Sequence, residues 1–155
     1  MKSLTRIDTC GDFTDEGMAH MSGLTNLEEL RITSQKITDK SLAALRDMTQ
    51  LQSLELYSPK ISGSGLVHLS RLKQLRRLKL HKTGMQPEYV HHLRRLTALQ
   101  SLDVSWTPLN KDGHWKSLAV LSTLPRLNAI EIELNPDETR ALEAMLPSCH
   151  VYYFE

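Results

Sequence analysis

The chain has 155 residues, with 19 Lys and Arg against 18 Asp and Glu, and a formal net charge of +1 excludes a protein whose entire surface grips nucleic acid. The length suits one domain and leaves no room for a catalytic domain beside the repeats below, and with only 5% aromatic residues the core must be aliphatic. No run of about 18 apolar residues could span a bilayer, and neither a signal-peptide segment nor an Asn-x-Ser/Thr sequon is present, so a cytoplasmic protein with no membrane attachment is expected.

In chain order, LTRIDTCGDF from Leu4 to Phe13 reads as a strand one residue short of the pattern that follows, and TDEGMAHMSGL completes an N-terminal capping repeat over 1–26. Three regular units then occupy 27–98: LEELRITSQKI from Leu27, LQSLELYSPKI from Leu51 and LRRLKLHKTGM from Leu75. Leu99 opens a fourth, LQSLDVSWTPL, and these four leucines are spaced by 24 residues. In each unit apolar residues such as Leu30 and Ile32 alternate with Glu29, Arg31 and Thr33, a period of two that predicts a short strand with one buried face. A polar column, Thr14, Thr38, Ser62, Gln86 and Asn110, is placed to cap a helix, with Pro87 at a first helical position. The triplets Leu42, Leu45, Met48; Leu66, Leu69, Leu72; and Val90, Leu93, Leu96 then form the inner face of each helix.

The fourth unit, 99–126, departs from the rhythm, because Leu99 to Leu127 is 28 residues. The added residues fall within about Asn110 to Lys116 and put Trp115 near a helix entry, where it either fills the thicker turn or contributes to a binding surface. A C-terminal repeat and cap over 127–155 carries a last helix, ETRALEAML, and a closing strand, CHVYYF.

Periods of roughly 20 to 29 residues with LxxLxL spacing mark leucine-rich repeats, one strand and one helix per unit. The expected fold is therefore α/β, a right-handed leucine-rich-repeat solenoid with a parallel β-sheet on its concave face and helices on its convex face, in a single domain over 1–155. The run Ile37, Thr38, Asp39, Leu42 and Leu45 resembles the cysteine-containing class of these repeats, found in F-box proteins and in many bacterial proteins, and the resemblance extends over about residues 4–155. It implies a side chain bonded to backbone between turns at Gln35, Pro59, Thr83 and Thr107; Thr fits that role and Pro59 has no donor for it. The ending LEAMLPSCHVYY resembles the C-terminal cap of small bacterial repeat proteins, and nothing resembles an F-box bundle.

Cys10 and Cys149 lie in opposite caps, too far apart for the roughly 7 Å limit of a disulfide. The seven histidines show no His-x-x-x-His pattern, the chain has no Cys-x-x-Cys, and Gly63–Gly65 aligns with the helix entry at Asp39–Ser41, so no metal and no cofactor is expected. No nucleophile elbow or paired-carboxylate site stands out, which predicts a non-enzymatic protein. Arg31, Glu55, Lys79 and Asp103 form a row of alternating sign that ends in Glu131, with Glu133 nearby. The candidate partner contacts are Tyr57, His81, Ser105 and Glu133 in one column, Glu29, Arg77 and Glu131 beside it, and Trp106 at a strand end, in a column whose other members (Ser34, Ser58, Lys82) suggest a solvent-facing position.

These features predict a monomeric module that binds another protein through its concave face. The first alternative is polyanion or RNA binding through the basic third repeat. There Arg71, Lys73, Arg76, Arg77, Lys79, Lys82, Arg94 and Arg95 face only Glu88, a net +7 against −6 for the rest of the chain. The second is a structural spacer or a fragment of a longer array.

Overall fold

The computed structural model describes residues 4–153. Seven strands, β1 (Arg6–Cys10), β2 (Glu29–Thr33), β3 (Ser53–Tyr57), β4 (Arg77–Lys79), β5 (Ser101–Asp103), β6 (Ala129–Glu131) and β7 (His150–Tyr152), lie side by side in chain order, and every neighbouring pair is parallel. Leu30, Leu54, Leu78, Leu102, Ile130 and Val151 stand in one register column and are buried against the helical layer. The register advances by 24 residues across β2 to β5, by 23 from β1 to β2 (Ile7 to Leu30), and by 28 from β5 to β6 (Leu102 to Ile130). The short first unit and the long fourth unit of the sequence are therefore taken up outside the strands.

The convex layer begins with α1 (Asp15–His20) and ends with α2 (Pro136–Met145), but the units between use 3₁₀ helices: Asp39–Leu45, Ser64–Arg71, Pro87–Arg95, Pro108–Asn110 and His114–Thr123. The reason is visible in the spacing. Leu42, Leu45 and Met48 recur every three residues, and three residues per turn stacks them on one line, whereas an α-helix would rotate them apart. Apart from Pro108–Asn110, each such helix packs between two neighbours, which supplies the support that an isolated 3₁₀ helix lacks.

Helix entry is organised differently from the expected capping column. Thr14 and Thr38 do cap, accepting from the amides of Gly17 and Lys40 at 3.3 and 3.2 Å. Ser62, Gln86 and Asn110 do not: the helix after Ser62 starts from Gly63, Gln86 turns its amide to the Gly84 carbonyl, and Asn110 ends a short helix before a new one starts from Gly113. At two entries, those at Thr38 and Ser62, a carboxylate from the preceding unit holds the turn. Asp15 accepts from the amide and hydroxyl of Thr38 and from the hydroxyl of Ser41. Asp39 accepts from the amide and hydroxyl of Ser62 and from the amides of Gly63 and Gly65, all within 3.0 Å. Gly65 is required at this junction, since a Cβ there would sit 2.3 Å from the Asp39 carbonyl oxygen.

A second set of polar bonds closes the turns after the strands. The hydroxyls of Thr83 and Thr107 donate to the carbonyls of Leu80 and Val104 at 2.7 and 2.6 Å. Where the corresponding residue is Gln35 or Pro59, the serine one position earlier takes the buried place: Ser34 donates to the Phe13 carbonyl and Ser58 to the Ile37 carbonyl, at 2.6 and 2.7 Å. Pro59 thus leaves no gap in the ladder, and the reading of Ser34 and Ser58 as solvent-facing is corrected, since both are buried.

The chain closes at β7, where Val151 is buried and its amide donates to Glu143. Phe154, expected in this strand, lies outside the described residues. Cys10 and Cys149 are both free, and burial together with the Glu143 carboxylate pushes the Cys149 thiol up to about 11. No helix among the described residues is long and apolar enough to cross a membrane.

Candidate partner-binding face

The polar alternates of the strands line the open face of the sheet, and their pairing changes along it. In the first half the charges neutralise one another: Arg6 pairs with Glu29 at 3.3 Å, and Arg31 lies between Asp8 at 3.7 Å and Glu55 at 3.1 Å. In the second half the row runs on through Lys79, Asp103 and Glu131, but Lys79 stands 4.0 Å from Asp103. Arg77, Glu131 and Glu133 make no ion pair among the described residues. Exposed pairs are worth at most about 1 kcal/mol each, so the pairing matters here chiefly for which charges stay free to meet a partner.

Asp103 has a role the sequence reading did not assign. It is 5% exposed, and its Oδ1 accepts from the Ser105 amide at 2.9 Å and hydroxyl at 2.5 Å. Asp-x-Ser is the spacing at which a carboxylate bonds backbone two residues on, and that was the available signal. Ser105 is correspondingly buried, with its hydroxyl committed to Asp103, and offers little to a partner. His81 approaches the same carboxylate, its Nδ1 4.0 Å from Asp103 Oδ2, and its ring lies 5.9 Å from that of Tyr57, so these two column neighbours are in contact. Glu29 is held by Arg6 at the far end of the face, away from the cluster that the structure gathers around Trp106.

Trp106 is 64% exposed, the most open of the large hydrophobic residues described. Its backbone has φ +57, and the equivalent Lys82 has φ +54. With Thr83 and Thr107 in the buried corner position, the preceding residue is forced outward through the left-handed region, a conformation that costs a non-glycine residue about 1–2 kcal/mol. Glu133 secures the corner by accepting from the Trp106 amide at 2.6 Å. Trp115 has the opposite fate. The insertion forms a turn through Asp112 (φ +51) and Gly113 (φ +74), and Trp115 folds inward, 4% exposed, with its indole N–H donating to Glu138 of α2 at 3.1 Å. Acrylamide should therefore quench the Trp106 emission strongly in Trp115→Phe and the remaining emission weakly in Trp106→Phe; similar quenching of both would contradict this arrangement.

The basic residues of the third repeat do not form one surface. Arg77 and Lys79 lie on β4, Lys82 at the strand end, and Arg94 and Arg95 at the end of a convex helix. Arg71 is paired with Asp47 at 2.5 Å, and Lys73 donates to the Arg95 carbonyl at 2.6 Å.

No family model and no curated protein matches the sequence. Among solved structures, an internalin (inlF) of Listeria monocytogenes str. 4b F2365 aligns with 97% of this chain and 47% of its own, at 19% identity and a TM-score of 0.59. Internalin C2 (inlC2) of the same organism aligns with 88% of this chain and 55% of its own, at 20% identity and a TM-score of 0.62. The fold is a leucine-rich-repeat solenoid. This repeat chain spans about half the length of those two proteins, and at such identity the likeness concerns the fold alone.

Proposed function

We propose that this leucine-rich-repeat chain is a monomeric, cytoplasmic and non-catalytic module that binds another protein through the second half of its concave face. One observation carries the reading: the salt-bridged row does not continue past the long Lys79–Asp103 pair, leaving Arg77 and Glu131 without ion partners on the same half as the exposed Trp106, while Glu133 is committed to the Trp106 amide. Aromatic and Arg side chains are the residues that most often dominate binding energy, and free charges set orientation and encounter rate. Tyr57 and His81 extend the contact, while Ser105 and Glu29 serve the scaffold. Assignment of the repeats to the cysteine-containing-like class rests on the run Ile37, Thr38, Asp39, Leu42 and Leu45, since the Thr83 and Thr107 hydroxyls bond within their own units. Affinity capture from the source cell, with nuclease added, tests the reading: a protein retained by the wild type should be lost on Arg77→Glu combined with Glu131→Lys. Capture that disappears with nuclease alone would count against it.

Polyanion binding through residues 71–95 is the less supported alternative, because its charges are dispersed and partly paired. It predicts binding to RNA or heparin that weakens steeply with salt and loses part of that slope when Arg76, Arg77 and Lys79 are neutralised, because fewer counterions are then released. Absence of binding at low salt would eliminate it.

A further inference from the structure

Lys82 and Trp106 border two hollows. The one on the concave side also contains Asp103 and Glu131. The other, at the rim where the strands end, is lined by Tyr57, Pro59, Lys82, Trp106, Pro108 and Lys111, with no carboxylate anywhere in its wall. Neither of its lysines makes an ion pair among the described residues. The Lys82 ammonium stands 6.0 Å from the centroid of the Tyr57 ring, between the two aromatic residues in strand order.

Three features converge on the occupant. The first is conformational: both residues with φ near +55 at equivalent corners carry a large side chain into this wall, where Ser34 and Ser58 of the earlier units turn inward. Glycine would satisfy the backbone better, and a strained corner is the kind of feature a binding site retains. The second is spacing. Tyr57 ends β3 and Trp106, one register position further along, follows β5 two strands away, so their separation across the strands, at about 4.8 Å per strand, is close to 9.6 Å. One turn of a polyproline II helix, three residues at about 3.1 Å each, advances nearly the same distance. A chain in that conformation, laid across the strand ends, brings one residue per turn onto each aromatic, with Pro59 and Pro108 as apolar floor. The third is charge: two free lysines in a wall without carboxylates complement acidic residues between the docked positions.

We propose that this rim hollow docks an acidic, proline-containing segment of the partner protein in the polyproline II conformation. The proposal rests on the protein-binding reading above and names the chemistry of the partner. Proline-rich segments lose little conformational entropy on docking, which is why aromatic-lined grooves suit them.

The test is a display library of random short peptides selected on the full chain, followed by fluorescence anisotropy with an enriched peptide. Enrichment of Asp or Glu together with Pro is expected, and Trp106→Gly and Lys82→Gly should each weaken binding by roughly tenfold, about 1.4 kcal/mol. Both glycine variants should melt no lower than the wild type, which separates lost contact from lost fold. Peptides without acidic or proline enrichment, or equal binding to the glycine variants, would overturn the proposal. So would a random single-stranded RNA that binds more tightly and depends on the same two residues, since the site would then be a stacking platform for bases. Partner capture that survives Trp106→Gly but not the Arg77 and Glu131 reversals removes this proposal and leaves the concave-face reading standing; capture that survives both sets overturns the two together.

Discussion

Leu54→Ala or Leu78→Ala should cost about 2–5 kcal/mol of stability, against less than about 1 kcal/mol for Glu55→Ala or Lys79→Ala. Leu54 and Leu78 are fully buried neighbours in one register column, with leucine on both sides, so a cavity at either is shared by adjacent units that cannot close it without shifting the register. Glu55 and Lys79 occupy the alternating positions on the open face, and their ion pairs, to Arg31 and Asp103, are partly solvated. In a chain of this length 1 kcal/mol moves the melting temperature by roughly 2–4 °C, so the two classes should separate clearly in thermal scans. Equal losses would mean that the strand faces are reversed.

Asp39→Ala is expected to cost roughly 2–3 kcal/mol, because it strips the acceptor from three amides and one hydroxyl at the next helix entry. Asp39→Asn should recover part of the loss, since one acceptor oxygen remains while the new NH₂ faces donors. The same site gives a pH dependence of definite sign. Burial raises the Asp39 pKa, but the amides of Gly65 and Ser62, the Ser62 hydroxyl and the Gly63 amide outweigh it and hold the carboxyl below 3.8. Asp15 is lowered in the same way: burial opposes, and the Ser41 hydroxyl, the Thr38 amide and hydroxyl, and Lys40 prevail. A carboxylate with a depressed folded pKa stabilises fully above its unfolded value of about 3.9, and that contribution is lost as pH falls through the lower folded value. Urea midpoints taken from neutral pH down through this acid range should fall for the wild type and fall less for Asp39→Ala; parallel curves would refute the assignment.

Most of the fold was legible in the sequence because it is periodic. Repetition at 24 residues fixes the neighbour of every strand, and alternation within LELYS and its copies fixes which residues enter the core, so topology, register and the leucine column followed without a structure. The displaced register at 99–127 was equally readable, since an insertion in a repeat shows as a shift in phase. Helix type was only half legible: the three-residue spacing was present in Leu42, Leu45 and Met48, yet such spacing also suits one face of an α-helix, and the choice depends on neighbours packing both sides.

The site depended on contacts between units. Column position alone could not show that Ser34 and Ser58 turn inward while Lys82 and Trp106 turn outward, because the outcome depends on whether the next residue can fill the buried corner. Nor could it show that Trp115 would find Glu138 in the following helix. The sequence by itself determined the elements that repeat, because their environment is set by copies of themselves one period away. Only the tertiary structure decided the residues that break the repeat, because a polar or aromatic side chain goes where its bonding partner stands, and the period by itself does not say which group that is.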